Sequence, residues 1–288
     1  MSKPHTKRPI FQRPGFWGIV AAGLVVLAAA VIAVLNATVY SAQAPVKDYV
    51  AALKAGEGET AMAISAGYLA DDAPEDISTV LLDGEALAAS AAPLAEAEIV
   101  SVDSDVPESF QDDDMTQQVV EIRYNDADDQ SRATSVVVDK VGTSWLFFNE
   151  WEMHPTPLQQ VILAPSRMPE NSKADEPVAH IHDQATPLLA DNGEPAVVAA
   201  FAPTFIELEY HGTYLEAAEP QTHAVTDVLA AGATSELAFQ VELTSTVDEV
   251  INRQVQQQLE RCTSQTVLKP AGCPFGYETT NRVVPETV

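Results

Sequence analysis

The spacing of hydrophobic residues changes along this chain, and each change predicts a different kind of element. An uncharged apolar run of 20 residues covers positions 16–35, a length that suits a helix crossing a bilayer core of about 30 Å. After Pro45 the apolar residues recur at i, i+3, i+4 and i+7, which predicts an amphipathic helix that ends at Gly56. The segments ETAMAISAGYL and DGEALAASA predict two further short helices.

Beyond Pro93 the pattern becomes typical of β-strands. Four segments rich in β-branched and aromatic residues are EAEIVSVD, TQQVVEIRY, RATSVVVDK and SWLFFNEW. The polar link NDADDQS predicts that the second and third form a hairpin. In the fourth segment, alternation gives both faces an aromatic residue, so we expect Phe147 and Phe148 to be buried and their alanine variants to lose about 3–5 kcal/mol. The two faces hold Trp145, Phe147 and Asn149, and Leu146, Phe148 and Glu150.

The second half of the chain, after the Pro-containing segment HPTPLQ, predicts mainly strands. QQVILAP, THAVTDVLA and SELAFQVELT each predict one strand, and AVVAAFAPTFIELEYHGTYLEA predicts two that are split near Pro203. Residues 166–192 are polar and contain prolines, so we expect a long loop. STVDEVINRQVQQQLERC predicts a helix with one apolar face, formed by Val247, Val250, Ile251, Val255 and Leu259.

Helices followed by an antiparallel meander indicate an α+β class. We therefore predict a basic tail (residues 1–15), a transmembrane anchor (16–36), an α+β domain (45–154) and a β-rich domain with a C-terminal helix and a disulfide-closed end (155–288).

The motif YVAALKAGEGETAMAI, directly after the apolar run, resembles small membrane-anchored extracytoplasmic proteins of actinobacteria with an NTF2-like domain. The resemblance covers residues 45–151 and implies a cone-shaped α+β domain. The family includes isomerases with a catalytic acid inside the cone. No position here matches that acid, so the resemblance implies no catalytic residue. The C-terminal segment CTSQTVLKPAGCPFGY resembles the same class of anchored proteins and implies no activity.

Charge around the apolar run predicts its orientation. Lys3, Lys7, Arg8 and Arg13 precede the run with no acidic residue, which places the N-terminus in the cytoplasm and the rest outside. A cleaved signal peptide is an alternative, because AQA at residues 42–44 resembles a cleavage site. The length of the run and Pro45 after that site favour a retained anchor. A buried helix of a soluble protein is the third alternative.

The chain after the apolar run is strongly acidic. It contains 11 basic and 42 acidic residues, a formal net charge of −31. This charge repels nucleic acid and anionic lipid headgroups, so we predict no nucleic-acid partner. A solvated acidic surface is favoured over a site for cations or basic partners.

Cys262 and Cys273 are the only cysteines, and a metal clip, a redox pair and a structural disulfide are the alternatives. No histidine lies between Cys262 and Arg282 to complete a zinc site, and the spacing differs from the C-x-x-C of redox dithiols. Outside the cytoplasm paired cysteines are usually oxidised. We therefore predict a Cys262–Cys273 disulfide.

Other candidate sites are weaker. His180 and His182 have a spacing that suits a metal on a strand, but the predicted surroundings are a loop without a third ligand. The acidic groups at residues 112–114 and 126–129 lack the glycine and glutamate of a calcium loop. GEGETA at 56–61 follows a helix, unlike a dinucleotide fingerprint. Glu207, Glu209 and His211 form the polar face of a half-buried strand.

No catalytic, cofactor-binding or metal-binding residue is therefore predicted. Because function depends on sites and no site is evident, the sequence favours a non-catalytic scaffold or partner-binding module of the cell envelope, with other envelope proteins as partners. The alternative is a small-ligand-binding or sensory module that uses the cavity of the NTF2-like cone. An enzyme is the least favoured hypothesis.

Overall fold

The computed structural model describes residues 14–71, 73–102, 105–112, 114–126, 130–166, 178–226 and 234–280. The chain has a mixed α+β fold: one N-terminal apolar helix, a β-rich body and a C-terminal helix closed by a disulfide. The α+β class predicted from the order of elements is thereby confirmed, whereas the structure leaves the NTF2-like assignment and the domain boundaries as predictions.

In the described part of the chain, four α-helices precede the first sheet. They are α1 (Pro14–Thr38), α2 (Gln43–Ala55), α3 (Gly58–Ile64) and α4 (Gly84–Ser90). As predicted, α2 buries Val46, Tyr49, Val50 and Leu53. It ends at Gly56, which has a left-handed φ of 70°, and the amides of Gly56 and Glu57 bond to carbonyls of the last helical turn. A Cβ atom at Gly58 would lie 1.7 Å from the carbonyl oxygen of Leu82, so both glycines of GEGETA serve close backbone packing.

The first sheet is an antiparallel meander with strand order β1-β2-β3-β4. Its strands are β1 (Glu98–Val102), β2 (Thr116–Asn125), β3 (Ser131–Ser144) and β4 (Phe148–Met153). The predicted hairpin is confirmed as β2–β3, in which β2 pairs over its whole length, from Thr116 with Lys140 to Asn125 with Ser131. Alternating residues of β2 and β3 belong to the hydrophobic core that also contains residues of α2 and α4; they include Val120, Ile122, Tyr124, Val136 and Val138.

SWLFFNEW is not one strand, and this prediction was wrong. The chain turns at residues 145–147, between β3 and β4, and Ser144 pairs with Phe148. Phe147 is exposed and Phe148 is half-buried, so the expected loss of about 3–5 kcal/mol on truncating Phe147 does not apply. An alternating pattern cannot reveal a turn whose residues are themselves apolar.

The second half forms two four-stranded sheets, with strand orders β10-β12-β5-β8 and β11-β9-β6-β7. Among the described strands of this half, β12 and β5 pair in parallel and the other pairs are antiparallel. The strands are β5 (Gln159–Ser166), β6 (Val178–Ile181), β7 (Gln184–Pro187), β8 (Val197–Ala200), β9 (Thr204–Glu209), β10 (Leu215–Ala217), β11 (Gln221–Val225) and β12 (Thr234–Leu243).

Two predictions for this half need correction or refinement. The loop expected over residues 166–192 contains the β6–β7 hairpin, which turns at His182 and Asp183 with positive φ angles of 46° and 65°; residues 167–177 lie outside the described part. The split near Pro203 is confirmed, and the Ala202–Pro203 peptide bond is cis, but the segment predicted as two strands also contains a third, β10.

Helix α5 (Ser245–Thr263) has the predicted extent, but no other part of the described chain covers its apolar face. Ile251, Val255 and Leu259 are exposed, Val247 and Val250 are half-buried, and Cys262 is the buried residue of this helix. Amphipathic spacing predicts which residues share a face. The spacing does not predict whether another part of the same chain packs on that face.

One hydrophobic core connects the two halves of the body. Its buried residues form a single cluster from Ala42 to Val241. The ring of Tyr124 in β2 packs edge-on against Phe205 in β9, with centroids 5.7 Å apart. Tyr124 donates a hydrogen bond to Oγ1 of Thr134, which donates to the carbonyl oxygen of Thr226. Contacts between the halves are therefore both apolar and hydrogen-bonded.

Candidate functional site

The junction between α1 and the body is the most informative site in this structure. Among the described residues, one helix is long and apolar enough to cross a membrane, and no residue of its window Ala21–Thr38 is fully buried. A signal sequence near the N-terminus can pass the same test of length and composition. What distinguishes this helix is how its C-terminal end contacts the body.

Asn36, in the last turn of α1, joins the helix to the loop between β3 and β4. Its side-chain Nδ2 donates to the carbonyl oxygen of Phe147 at 2.7 Å, and its Oδ1 accepts from the backbone amide of Asn149 at 3.0 Å. Both ends of one carboxamide are thus satisfied by backbone groups more than 100 residues away. One turn further, the ring of Tyr40 stacks on Phe148 with centroids 4.6 Å apart.

The loop held by Asn36 projects apolar side chains into solvent. We define the hairpin tip as Trp145, Leu146 and Phe147, whose exposed fractions are 84%, 86% and 56%. Trp145 and Leu146 have positive φ angles of 51° and 68°. Tight hairpins with two such residues strongly favour Asn-Gly, because bulky side chains strain this conformation. The tip residues therefore add nothing to the hydrophobic core, and their bulky side chains do not favour the turn conformation.

An open groove of about 470 Å³ lies beside this junction. Tyr40 and Trp151 contribute aromatic surface to it, while Asp48, Glu150 and Glu152 contribute carboxylates. The carboxylates make the groove attractive to cations and unattractive to phosphates.

The structure brings the two histidines and two glutamates of the sequence analysis together. His180 on β6 lies opposite Glu209 on β9, and with His182 and Glu207 they line a groove of about 310 Å³. Nε2 of His182 donates to the carbonyl oxygen of Phe205 at 2.8 Å. In the described part of the chain, no three His, Cys, Asp or Glu side chains are placed to hold a metal ion. On the opposite face of β9, Ile206, Leu208 and Tyr210 are buried, as the alternation predicted.

A polar network that the sequence did not reveal lies on the outer face of the first sheet. Asp139 is buried; it accepts from Gln117 Nε2 at 2.7 Å and from His154 Nδ1 at 2.8 Å. Gln117 also donates to the carbonyl oxygen of Phe110, whose ring meets His154 edge-on at 5.6 Å. These contacts attach the segment around Phe110 to the sheet, which is a structural role. Strand spacing gave no signal for it, because Asp139 lies on β3 whereas His154 directly follows β4.

The structure describes some residues of the two acidic groups that the sequence analysis considered. Asp126 pairs with Arg132 at 2.7 Å and accepts from the amide of Gln130, so it stabilises the β2–β3 connection. Asp112 accepts from the amide of Asp114 at 3.0 Å within its own turn. Residues 113 and 127–129 lie outside the described residues.

Cys262 and Cys273 form the predicted disulfide, with Cα atoms 5.8 Å apart. The bond joins the last turn of α5 to the following loop, where Gln258 Nε2 also donates to the carbonyl oxygen of Gly272 at 3.0 Å. The pair is therefore a structural disulfide at the end of α5.

Burial is the main cause of the shifted pKa values in the described residues. Desolvation raises the pKa of Tyr49 and that of Tyr124, so both phenols stay protonated and act as hydrogen-bond donors. Desolvation lowers the pKa of His223. Within the described residues, no buried side-chain nitrogen or oxygen lacks a hydrogen-bond partner.

No family model, curated protein or solved structure matches this chain. The sequence did contain a signal for the junction: an asparagine at the end of a long apolar run and a consecutive Trp-Leu-Phe. Their contact across the chain could not be read from either segment alone.

Proposed function

We propose that the chain is a single-pass membrane protein whose body is a non-catalytic, partner-binding scaffold of the cell envelope. The contact of Asn36 with the β3–β4 loop carries this proposal, since it fixes the body against a helix that is long and apolar enough to be an anchor. A signal sequence that is removed has no reason to make two specific hydrogen bonds to the mature body. The N-terminal lysines and arginines favour a cytoplasmic N-terminus and a body outside the cytoplasm.

The first half of the body is proposed to be NTF2-like. Helices α2, α3 and α4 precede a four-stranded antiparallel meander, and buried residues of these helices and strands belong to one hydrophobic core. Val120, Val136 and Val138 are fully buried in this packing. This filling favours a scaffold over a module that binds a ligand within the cone.

Partner binding is supported by α5. Its residues Ile251, Val255 and Leu259 form an exposed apolar stripe on a helix that the disulfide holds at its C-terminal end. Stripes of this kind on soluble bodies mark contacts with other proteins. We propose as partner an envelope protein that presents an apolar groove to this helix.

The test compares proteins that co-purify with the tagged full chain after detergent extraction of membranes. Val255→Ser combined with Leu259→Ser should remove a specific partner, because serine eliminates the apolar stripe while it keeps the helix exposed. Met115→Ser is the matched control, as Met115 is similarly exposed but lies before β2. A partner retained by the α5 variant, or a small molecule that raises the melting temperature while no protein depends on α5, would overturn the proposal.

A further inference from the structure

We propose that the hairpin tip inserts Trp145, Leu146 and Phe147 into the interfacial layer of the bilayer beside α1. The inference deepens the proposed function and rests on its membrane anchor. The partner is thus the lipid surface itself, contacted by a second, separate element of the chain.

The position of the hairpin tip along the membrane normal follows from Asn36. This residue lies within the window Ala21–Thr38 that can cross a membrane, two residues before the end of α1. Two residues of helix correspond to about 3 Å along the axis. Because the backbone of Phe147 and Asn149 bonds directly to the Asn36 side chain, the tip lies at the level of the last turn of the membrane helix.

Burial on α1 is consistent with this placement. Side chains from Ala21 to Val31 are exposed, whereas Ile32, Leu35 and Asn36 are half-buried. These three residues have the i, i+3, i+4 spacing of one helix face. The body therefore contacts the last turns of α1 on one side, and its contact includes β4.

The chemistry of the hairpin tip suits the membrane interface. Tryptophan and other amphipathic aromatic residues concentrate at the headgroup level, with leucine and phenylalanine reaching the acyl chains. Residues 141–149 carry no charge, in a chain that has 42 acidic residues. An uncharged end reduces the repulsion that this acidic body would otherwise experience at anionic headgroups.

The backbone of the hairpin tip supplies independent support. Trp145 and Leu146 occupy left-handed positions at which Asn-Gly is favoured, and both remain more than four-fifths exposed. A strained turn that retains bulky apolar residues without burying them in the protein indicates a purpose outside the protein. The adjacent apolar phase in the proposed arrangement is the bilayer.

The experiment measures membrane depth with a nitroxide on the full chain reconstituted in phosphatidylcholine vesicles. Because Cys262 and Cys273 are bonded to each other, a single introduced cysteine can be labelled selectively. Leu146→Cys reports on the hairpin tip, Ala28→Cys on the middle of α1, and Leu243→Cys on an exposed apolar residue at the end of β12. The ratio of collisions with oxygen to collisions with a water-soluble nickel chelate should be several-fold higher at Leu146 than at Leu243. Asn36→Leu should lower the ratio at Leu146, since it removes both hydrogen bonds while it keeps α1 apolar.

The outcomes separate the inference from the anchor. If the Leu146 probe resembles Leu243 while the Ala28 probe is in lipid, the inference fails and the anchor stands. If all three probes are in water, both fail. If Leu146 is shielded from oxygen and chelate alike, the tip contacts protein and the lipid assignment is wrong. A second test needs no label. Brominated phosphatidylcholine should quench less tryptophan emission in the Trp145→Phe variant than in the wild type. Equal quenching in the two proteins would count against insertion of Trp145.

Discussion

At the scale of single residues, Tyr49 shows how one hydroxyl connects distant parts of the body. It lies on α2, is almost fully buried, and donates to the carbonyl oxygen of Ala202 at 2.9 Å. Its ring also meets Phe201 edge-on, with centroids 6.2 Å apart. The helix layer is thereby attached to the turn between β8 and β9.

Tyr49→Phe should lower the free energy of unfolding by about 1–2 kcal/mol, because it leaves a buried carbonyl without its donor while it keeps the ring. Urea unfolding of the full chain in detergent measures this loss. Tyr68→Phe is the matched control, since the side chain of Tyr68 is exposed. Equal losses for both variants would show that the hydroxyl of Tyr49 contributes nothing specific.

His223 on β11 makes stability depend on pH. Burial lowers its pKa, and its Nε2 lies 2.9 Å from Oγ of Ser235. As the pH falls below about 6.5, His223 becomes protonated in the unfolded chain but stays neutral in the folded chain. The free energy of unfolding therefore decreases until the pH is below the pKa of His223 in the folded chain. The free energy of unfolding should therefore fall more between about pH 7.5 and pH 5 in the wild type than in His223→Gln. A fall of the same size in both proteins would exclude His223 as its source.

At the scale of elements, α5 depends on its disulfide more than on packing. The loop between Cys262 and Cys273 is short, and closing it contributes at most about 2–3 kcal/mol in the chain-entropy model. Because Cys262 is the buried residue of α5, we expect its loss to open the end of this helix rather than unfold the body. Cys262→Ser with Cys273→Ser should increase amide hydrogen exchange in residues 258–273 and leave β2 and β3 protected. Equal acceleration in both regions would contradict this.

The elements differ in how well sequence predicts them, for physical reasons. The periodicity of α2 and α5 and the β2–β3 hairpin is local, so residue spacing predicted them. The turn at Trp145 was missed because an apolar turn continues the alternation of its strands. The β6–β7 hairpin was missed because it turns at His182 and Asp183 instead of the Asn-Gly that marks such turns. The junction at Asn36 depends on a contact between segments over 100 residues apart, which no local pattern encodes.

At the scale of the whole molecule, the structure bears on whether the N-terminal helix is retained. Ala42 and Val46 lie in the core, and Gln43 begins α2. Cleavage after Ala44 would remove the first residues of α2, the buried Ala42 and the partner of the β3–β4 loop. The fold therefore favours a retained helix over a cleaved signal peptide.

N-terminal sequencing of the protein extracted from membranes should start at or near Met1. The expectation follows from the length of the apolar run, from Pro45 after the potential cleavage site, and from the contacts of Asn36. Recovery of the body in the soluble fraction with Pro45 as its first residue would contradict the anchor.

The short connection between α1 and α2 limits how far the body can reach. Residues 39–42 are all that separate the two helices, and four residues span at most about 14 Å when fully extended. Even if the contact at Asn36 opened, the proposed scaffold could not leave the vicinity of the headgroups. A partner would then meet it only by diffusing within the same membrane or by approaching that membrane closely, so encounters would be governed by surface density rather than by bulk concentration.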